Sequence, residues 1–168
     1  MFEYKRIIII GCCGAGKSTF AKKLSARTGI PLYHLDNIYW RADRSHLAHR
    51  DFLKKQKEIM KSKQWIIDGN YGKTMEYRIR KCDLIFFFDL PASVCIEGVL
   101  KREPIRSDIA CELEPDETLL DYIKSYETTS RPTVLRRIKR HPRKKLISFR
   151  SRLEADDYLA NLKTETIV

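Results

Sequence analysis

Residues 7–24 read IIIIGCCGAGKSTFAKKL, and the fold turns on what this stretch becomes. Four β-branched isoleucines run straight into a glycine-rich turn, then a lysine, two hydroxyl residues and an apolar-spaced segment. The order is strand, loop, helix, and Gly11-x-x-x-x-Gly16-Lys17-Ser18 has the spacing of a phosphate-binding loop. Glycines such as Gly11, Gly14 and Gly16 let backbone N–H groups turn inward with no Cβ in the way. Together with Ala15 and the positive end of the helix, those groups make a nest for an anion. Lys17 then reaches β- and γ-phosphates, the Ser18 hydroxyl becomes a ligand for Mg²⁺, and Thr19 completes the cradle. Phe20, Ala21 and Leu24 give the helix an apolar stripe, and Thr28-Gly29 supplies a glycine to close it. A chance glycine-rich turn would not carry this context on both sides. The stretch predicts a nucleoside triphosphate ligand.

The remaining composition bounds the setting. At 168 residues and 43% hydrophobic, the chain has the size of one domain, spanning residues 1–168. A domain of that length buries about 70% of its unfolded surface. MFEYKR is followed by only four apolar residues, and the later run at 84–88 is far short of a membrane span, so neither a secretory signal nor a membrane span is expected. The five cysteines are odd in number and lack metal spacing, with Cys12 and Cys13 adjacent inside the phosphate loop. These features predict a reduced, cytoplasmic protein.

Five apolar runs read as strands, at 6–10, 31–35, 65–67, 84–88 and 145–149. Helical patterns lie at 17–28, 46–61, 74–80, 92–101 and 116–140, the last broken near Pro132, and a closing helix follows the capping box Ser151-x-x-Glu154. Strands nearly continuous in apolar residues and alternating with helices call for a parallel sheet covered on both faces. In such α/β sheets ligands lie beyond the carboxyl ends of the strands. Those ends are polar here: YHLDNIYW brings Asp36, WIIDGNYG brings Asp68 and Gly69, and FFFDLP brings Asp89. Asp89 precedes Leu90-Pro91 and is expected to cap the next helix. Asp36 and Asp68 are expected to converge on the phosphate loop, for metal positioning and activation of an acceptor hydroxyl. Tyr33, Tyr39, Trp40 and Tyr71 are candidates to wall the acceptor pocket or to pack in the core.

Two charged segments remain. LKREPIRSDIACELEP, residues 100–115, places cations before acids between two helices. It reads as a lid over transferring phosphates at about 101–115, or as an ordinary polar connection. Residues 131–152 hold ten Lys or Arg, one His and no acid within a chain of net charge +11. A solvated basic face, a phosphate-clamping surface and a nucleic-acid patch all account for such a run.

The set GCCGAGKST, YHLD, WIIDGNY, IFFFDLP and ISFRSR resembles P-loop nucleoside- and nucleotide-kinase-like proteins of the adenylate kinase and shikimate kinase type. Within that group it looks most like the small bacterial DNA topology modulation, or flagellin-regulation, proteins, nearly end to end. The resemblance implies a three-layer α/β P-loop NTPase fold, with a five-stranded parallel sheet in the order 2-3-1-4-5. It also implies ATP with Mg²⁺, and a short lid. It sets Asp68-Gly69 in the place of an adenylate-kinase Asp-Gly motif, with Asp68 and Ser18 toward the metal. DGNYGKT replaces the usual DGFPR, so the expected arginine is absent, with Lys73 and Arg78 the candidates to supply its charge. The resemblance makes Arg102 and Arg106 the lid cations and puts Arg150 by the adenine.

A small-molecule kinase is therefore the leading expectation, with Lys17, Asp36, Asp68, Arg102 and Arg106 as catalytic candidates. Asp36, Gly69, Tyr71 and Arg78 are the candidates for holding the acceptor. The alternative is a DNA-associated regulatory ATPase, although no helix-turn-helix or zinc-finger spacing occurs, and only weak, non-specific DNA binding is expected. A protein that merely senses ATP is the third.

Overall fold

The structure is a computed structural model that describes residues 2–41, 43, 45–101 and 116–162. The expected lid from Arg102 onward, including Arg106, lies outside the described residues.

Strand β1 (Arg6–Gly11) forms where the isoleucines predict it. Ile7 to Ile10 are each 0% exposed because both faces of the strand are covered. Side chains alternate along a strand, so the run divides between two cores. Ile7 and Ile9 join Phe20, Leu24, Phe86 and Phe88, whereas Ile8 and Ile10 join Trp65, Ile67, Phe87 and Val134. With β2 (Leu32–His34), β3 (Trp65–Asp68), β4 (Leu84–Phe88) and β5 (Lys145–Phe149), it makes a five-stranded parallel sheet in the order β2-β3-β1-β4-β5. The register sets Ile9 beside Asp68 and Gly11 beside Phe88, so three strand ends meet at one rim. β5 departs from expectation. It is an edge strand on which only Phe149 is buried, and Leu146 is 39% exposed.

Helix α1 (Lys17–Thr28) runs from Gly16 to Gly29, both left-handed, and the Gly29 N–H donates to the Ser25 carbonyl at 2.8 Å. The YHLDNIYW stretch contains a turn of helix that periodicity did not reveal, α2 (Leu35–Tyr39). Tertiary packing makes it: Leu35 is buried, and the Tyr39 ring lies 5.0 Å from Phe52 and 4.9 Å from Tyr71. The next helix, α3 (His49–Ile59), starts later than its pattern suggests, because His46 bridges back to Trp40 and Leu47 N–H donates to Tyr39 O. α4 (Gly72–Lys81) and α5 (Ala92–Leu100) follow β3 and β4.

The long pattern at 116–140 divides into α6 (Glu117–Ser125) and α7 (Ser130–Lys139). The break falls before Pro132, which occupies the first turn of α7, where a helix needs no N–H. α8 (Arg152–Ala160) is capped by Ser151, which accepts from Glu154 N–H at 3.1 Å. The Glu154 carboxylate returns to the Arg150 N–H at 2.7 Å, one residue earlier than the standard box. No helix among the described residues is long and apolar enough to cross a membrane. The four described cysteines are free thiols.

Candidate active site

The phosphate loop leaves β1 at Gly11, and its glycines have φ of 144°, 78° and 98° at Gly11, Gly14 and Gly16. Gly14 is also a close-approach position: a Cβ there would lie 2.0 Å from the Cys95 carbonyl oxygen and 2.7 Å from Val99 Cγ2. The loop therefore packs directly on α5, which fixes its height above the sheet. Ala15 is buried beneath it. Lys17 arches back over the loop and donates to the Cys12 carbonyl at 2.8 Å.

Across the rim, Asp68 binds the first turn of α1. Its Oδ2 accepts from the Ser18 hydroxyl at 2.7 Å and lies 2.9 Å from His34 Nδ1. Its Oδ1 is buried and among the described residues has no partner. Burial pushes the Asp68 pKa up, but His34, Lys17 and Ser18 together outweigh it and hold the group below the usual carboxylate range. An ionised carboxylate with one free oxygen beside a hydroxyl fits a hard divalent cation. Among the described residues no group of three or more His, Cys, Asp or Glu converges on one point. A hydroxyl and a carboxylate are oxygen donors of the kind Mg²⁺ takes, its shell being completed by phosphate oxygens and water.

Asn70 joins the two halves of the rim. Its Oδ1 accepts from Gly11 N–H at 2.9 Å, and its Nδ2 donates to Gly11 O at 2.6 Å. This double contact pins the root of the phosphate loop, and sequence reasoning assigned it no role. Its one signal was position, directly after Asp-Gly at the end of the strand beside β1.

Asp36 and Tyr71, the residues expected on the acceptor side, meet in the structure. The Tyr71 hydroxyl donates to Asp36 Oδ1 at 2.6 Å. Tyr71 has φ 37°, the one positive φ outside glycine among the described residues, and its ring lies 4.8 Å from Phe52. Tyr33, Tyr39 and Tyr71 are partly buried against the same core, so the aromatics pack and wall at once. Gly69 turns the chain with φ 136° and donates to Ile9 O at 3.1 Å.

Two expectations, for Arg78 and Asp89, need correction. Arg78 does not face an acceptor: it is 0% exposed, with Nη1 donating to Gly69 O at 2.6 Å and Nη2 to the carbonyls of Asn70 and Tyr71. It holds the 69–71 loop. Burial pulls its pKa down, Asp68 opposes this, and the group stays charged at neutral pH. Asp89 caps nothing. It pairs with Arg131 through two contacts of 2.6 and 2.8 Å, and α5 has no side-chain cap. A bidentate charged pair is stronger than one cap bond. Arg150 lines a cavity of about 230 Å³ with Cys12, Asp89 and Arg131. The cavity of about 510 Å³ over the phosphate loop is bounded by Thr19, Lys23, Gly98, Lys101 and Arg152 instead. Arg152 donates there to Gly14 O at 3.0 Å and Val94 O at 2.9 Å. That volume lies within the range of small-molecule sites.

No protein-family model matches the chain. Adenylate kinase of Rhizobium meliloti (strain 1021) is 29% identical over 123 residues, covering 68% of this chain and 62% of that protein. Adenylate kinase of Pseudothermotoga lettingae is 27% identical over 119 residues, covering 67% and 54%. The aligned part thus spans less than two thirds of these relatives. Among solved structures, a shikimate kinase from Bacteroides thetaiotaomicron superposes with TM-score 0.59 at 16% identity, over 94% of this chain and 96% of that one. An unliganded sugar kinase from Janibacter sp. HTCC2649 gives 0.56 at 15%, over 94% and 91%. The strand order, the phosphate loop and these likenesses together give the chain a P-loop nucleotide-kinase-like fold.

Proposed function

We propose that the protein is an ATP-dependent phosphotransferase acting on a small molecule. The observation that carries this reading is the meeting of Ser18 and Asp68 at 2.7 Å beside Lys17, with Asp68 Oδ1 buried and unpartnered. Loop N–H groups beyond Gly11, whose own N–H is held by Asn70, cradle the phosphates up to Thr19. Lys17 leaves the Cys12 carbonyl to meet them, and Ser18 and Asp68 hold Mg²⁺, which when bound neutralises phosphate charge. The nucleoside occupies the cavity bounded by Arg152 and Lys101. Asp36, oriented by the Tyr71 hydroxyl, aligns an acceptor hydroxyl and takes its proton. Arg102 and Arg106 close over the developing charge. Positioning and charge neutralisation supply most of the rate in such chemistry. The resemblance to topology modulation proteins belongs to this reading as a family proposal, and it names no acceptor.

Calorimetry with a non-hydrolysable ATP analogue and Mg²⁺, followed by an acceptor screen read as ATP consumption, tests it. Binding plus stimulation by one acceptor class supports the proposal; no analogue binding rejects it. A second reading, a DNA-responsive ATPase, draws on the exposed Arg136, Lys139, Arg140 and Arg143. ATP consumption raised by duplex DNA and by no small molecule would favour it.

A further inference from the structure

Helix α5 begins beside the cavity of about 230 Å³ that Arg150 lines, and it begins uncapped. Asp89, the side chain expected to cap it, is spent on Arg131 instead. The first turn holds no acid, so its N–H groups carry the positive pole of the helix at Pro91 and Ala92, which border the cavity. Tyr126 forms another part of the wall. It is 4% exposed, and its hydroxyl is buried with no partner among the described residues. The ionisable groups that act on that hydroxyl include Cys12 and Asp89, which line the same cavity, so the hydroxyl is directed into it. Burial pushes the Tyr126 pKa up, and the phenol keeps a proton to donate. Arg150 adds a guanidinium with no partner among the described residues, since only its backbone N–H is engaged, by Glu154. Helix N–H, phenol O–H and guanidinium are all donors. They call for a ligand rich in acceptors.

We propose that this cavity is a binding site for a small organic monocarboxylate, separate from the nucleotide and acceptor sites. The carboxylate oxygens take the Tyr126 O–H and the first N–H groups of α5, Arg150 pairs with their charge, and the hydrocarbon body lies on Leu90 and Ile123. Charge selects a monoanion. The Asp89 and Glu127 carboxylates line the same cavity as Arg131 and Arg150, which leaves its wall close to neutral, and a doubly charged phosphate would be repelled by both acids. Size selects a small ligand: the volume exceeds the roughly 150 Å³ that suffices for benzene and falls below the roughly 300 Å³ at which drug-sized sites begin. Cys12 borders the cavity and its carbonyl holds Lys17, so the site touches the root of the phosphate loop. The inference does not depend on the phosphotransferase reading.

The test titrates benzoate, its neutral isostere benzamide and inorganic phosphate into the whole protein with a non-hydrolysable ATP analogue and Mg²⁺ present. Amide resonances of Ala92 and Glu127 report on the cavity, and those of Gly16 and Ser18 on the phosphate loop. Benzoate should shift Ala92 and Glu127 saturably, and benzamide should bind about tenfold or more weakly, the scale of lost charge-assisted contacts. Tyr126→Phe removes one oxygen and keeps the ring. Because that hydroxyl has no partner in the free protein, Tm should not fall, while benzoate affinity should drop by about tenfold. Arg150→Gln should weaken benzoate as well. No saturable shift at Ala92 and Glu127, benzamide binding equal to benzoate, or phosphate binding more tightly than benzoate overturns the inference. So does a Tyr126→Phe protein that loses Tm but binds benzoate like wild type, which would make the hydroxyl purely structural. Binding of the analogue is read separately at Gly16 and Ser18, and its failure would count against the phosphotransferase reading alone.

Discussion

Arg6 and Gly11 stand at opposite ends of one strand and have opposite surroundings. At the amino end, the Arg6 guanidinium meets Asp83 with Nη2 at 2.6 Å from Oδ1, and the Arg6 backbone N–H donates to the same carboxylate at 3.1 Å. Lys144 Nζ nearby caps the carbonyls of Arg80 and Cys82 at 2.9 and 2.8 Å. At the carboxyl end, Asp68 Oδ1 is buried without a partner, Tyr71 is held at φ 37°, and Lys17 folds onto its own loop. Strain and unmet polar groups persist only where the surrounding structure holds them, and they gather where a ligand will answer them. The amino end is held by paired charges, and the carboxyl end is where the proposed ligands bind. Substitutions should separate the two.

Lys17→Ala should produce the largest effect. Losing its charge-assisted contacts to two phosphates costs about 3 kcal/mol, or roughly 10²-fold in ATP affinity, and turnover should vanish. Thermal stability without ligand should barely move. Calorimetry and ATP consumption measure both, and unchanged affinity would erase the distinction between the two ends.

Asp36→Asn comes next. It should lower phosphoryl transfer by about 10²–10⁴-fold, the usual contribution of a general base, while ATP affinity stays within a few-fold. Single-turnover assays with an acceptor read the first quantity. An undiminished rate would reduce Asp36 to a partner that merely orders Tyr71.

Asn70→Ala tests the join. Two contacts to Gly11 disappear and leave its backbone groups unanswered, so stability should fall by about 2–3 kcal/mol and nucleotide affinity should fall with it. Urea unfolding alongside calorimetry separates these losses. A change in stability alone would mean the loop keeps its shape without the pin.

Asp83→Asn should have the smallest effect and touch stability only. Burial raises the Asp83 pKa, yet Arg6 more than offsets this and the group ends below its ordinary value. A carboxylate depressed on folding stabilises above its unfolded pKa, about 3.9, and loses that contribution as pH falls through the lower folded value. Arg6 is 44% exposed, so solvent screening limits the pair to about 1 kcal/mol or less. Wild type and variant should differ by that amount at neutral pH and converge as pH falls through the depressed folded value, with equal ATP affinity throughout. A difference that grows on acidification would contradict the assignment.

Much of this fold was legible in the chain. The run of isoleucines, the phosphate loop, the Gly29 terminus and the Ser151 cap were all readable, because each depends on dihedral preferences and periodicity within a few residues. The single turn of α2 was not, since five residues are too few to show a helical period and tertiary packing of Leu35 and of Tyr39 on Phe52, Tyr71 and His46 holds it in place. β5 was misjudged as buried because apolar content alone does not tell an edge strand from a central one.

The candidate site divides along the same line. Lys17, Ser18 and the glycines are adjacent in sequence, and their geometry is one local backbone path that the residue order by itself dictates. Arginines are different. Arg78, Arg131, Arg137, Arg150 and Arg152 are chemically alike in sequence, yet they become a loop brace, an ion-pair partner, a cation packed on Gly72, a wall of a side cavity and a contact to the phosphate loop. A guanidinium on a long flexible stem takes its role from whichever carbonyl, carboxylate or free space the packed helices bring within reach. The nucleotide cradle is therefore a property of the sequence, and the choice among the cations around it belongs to the tertiary structure.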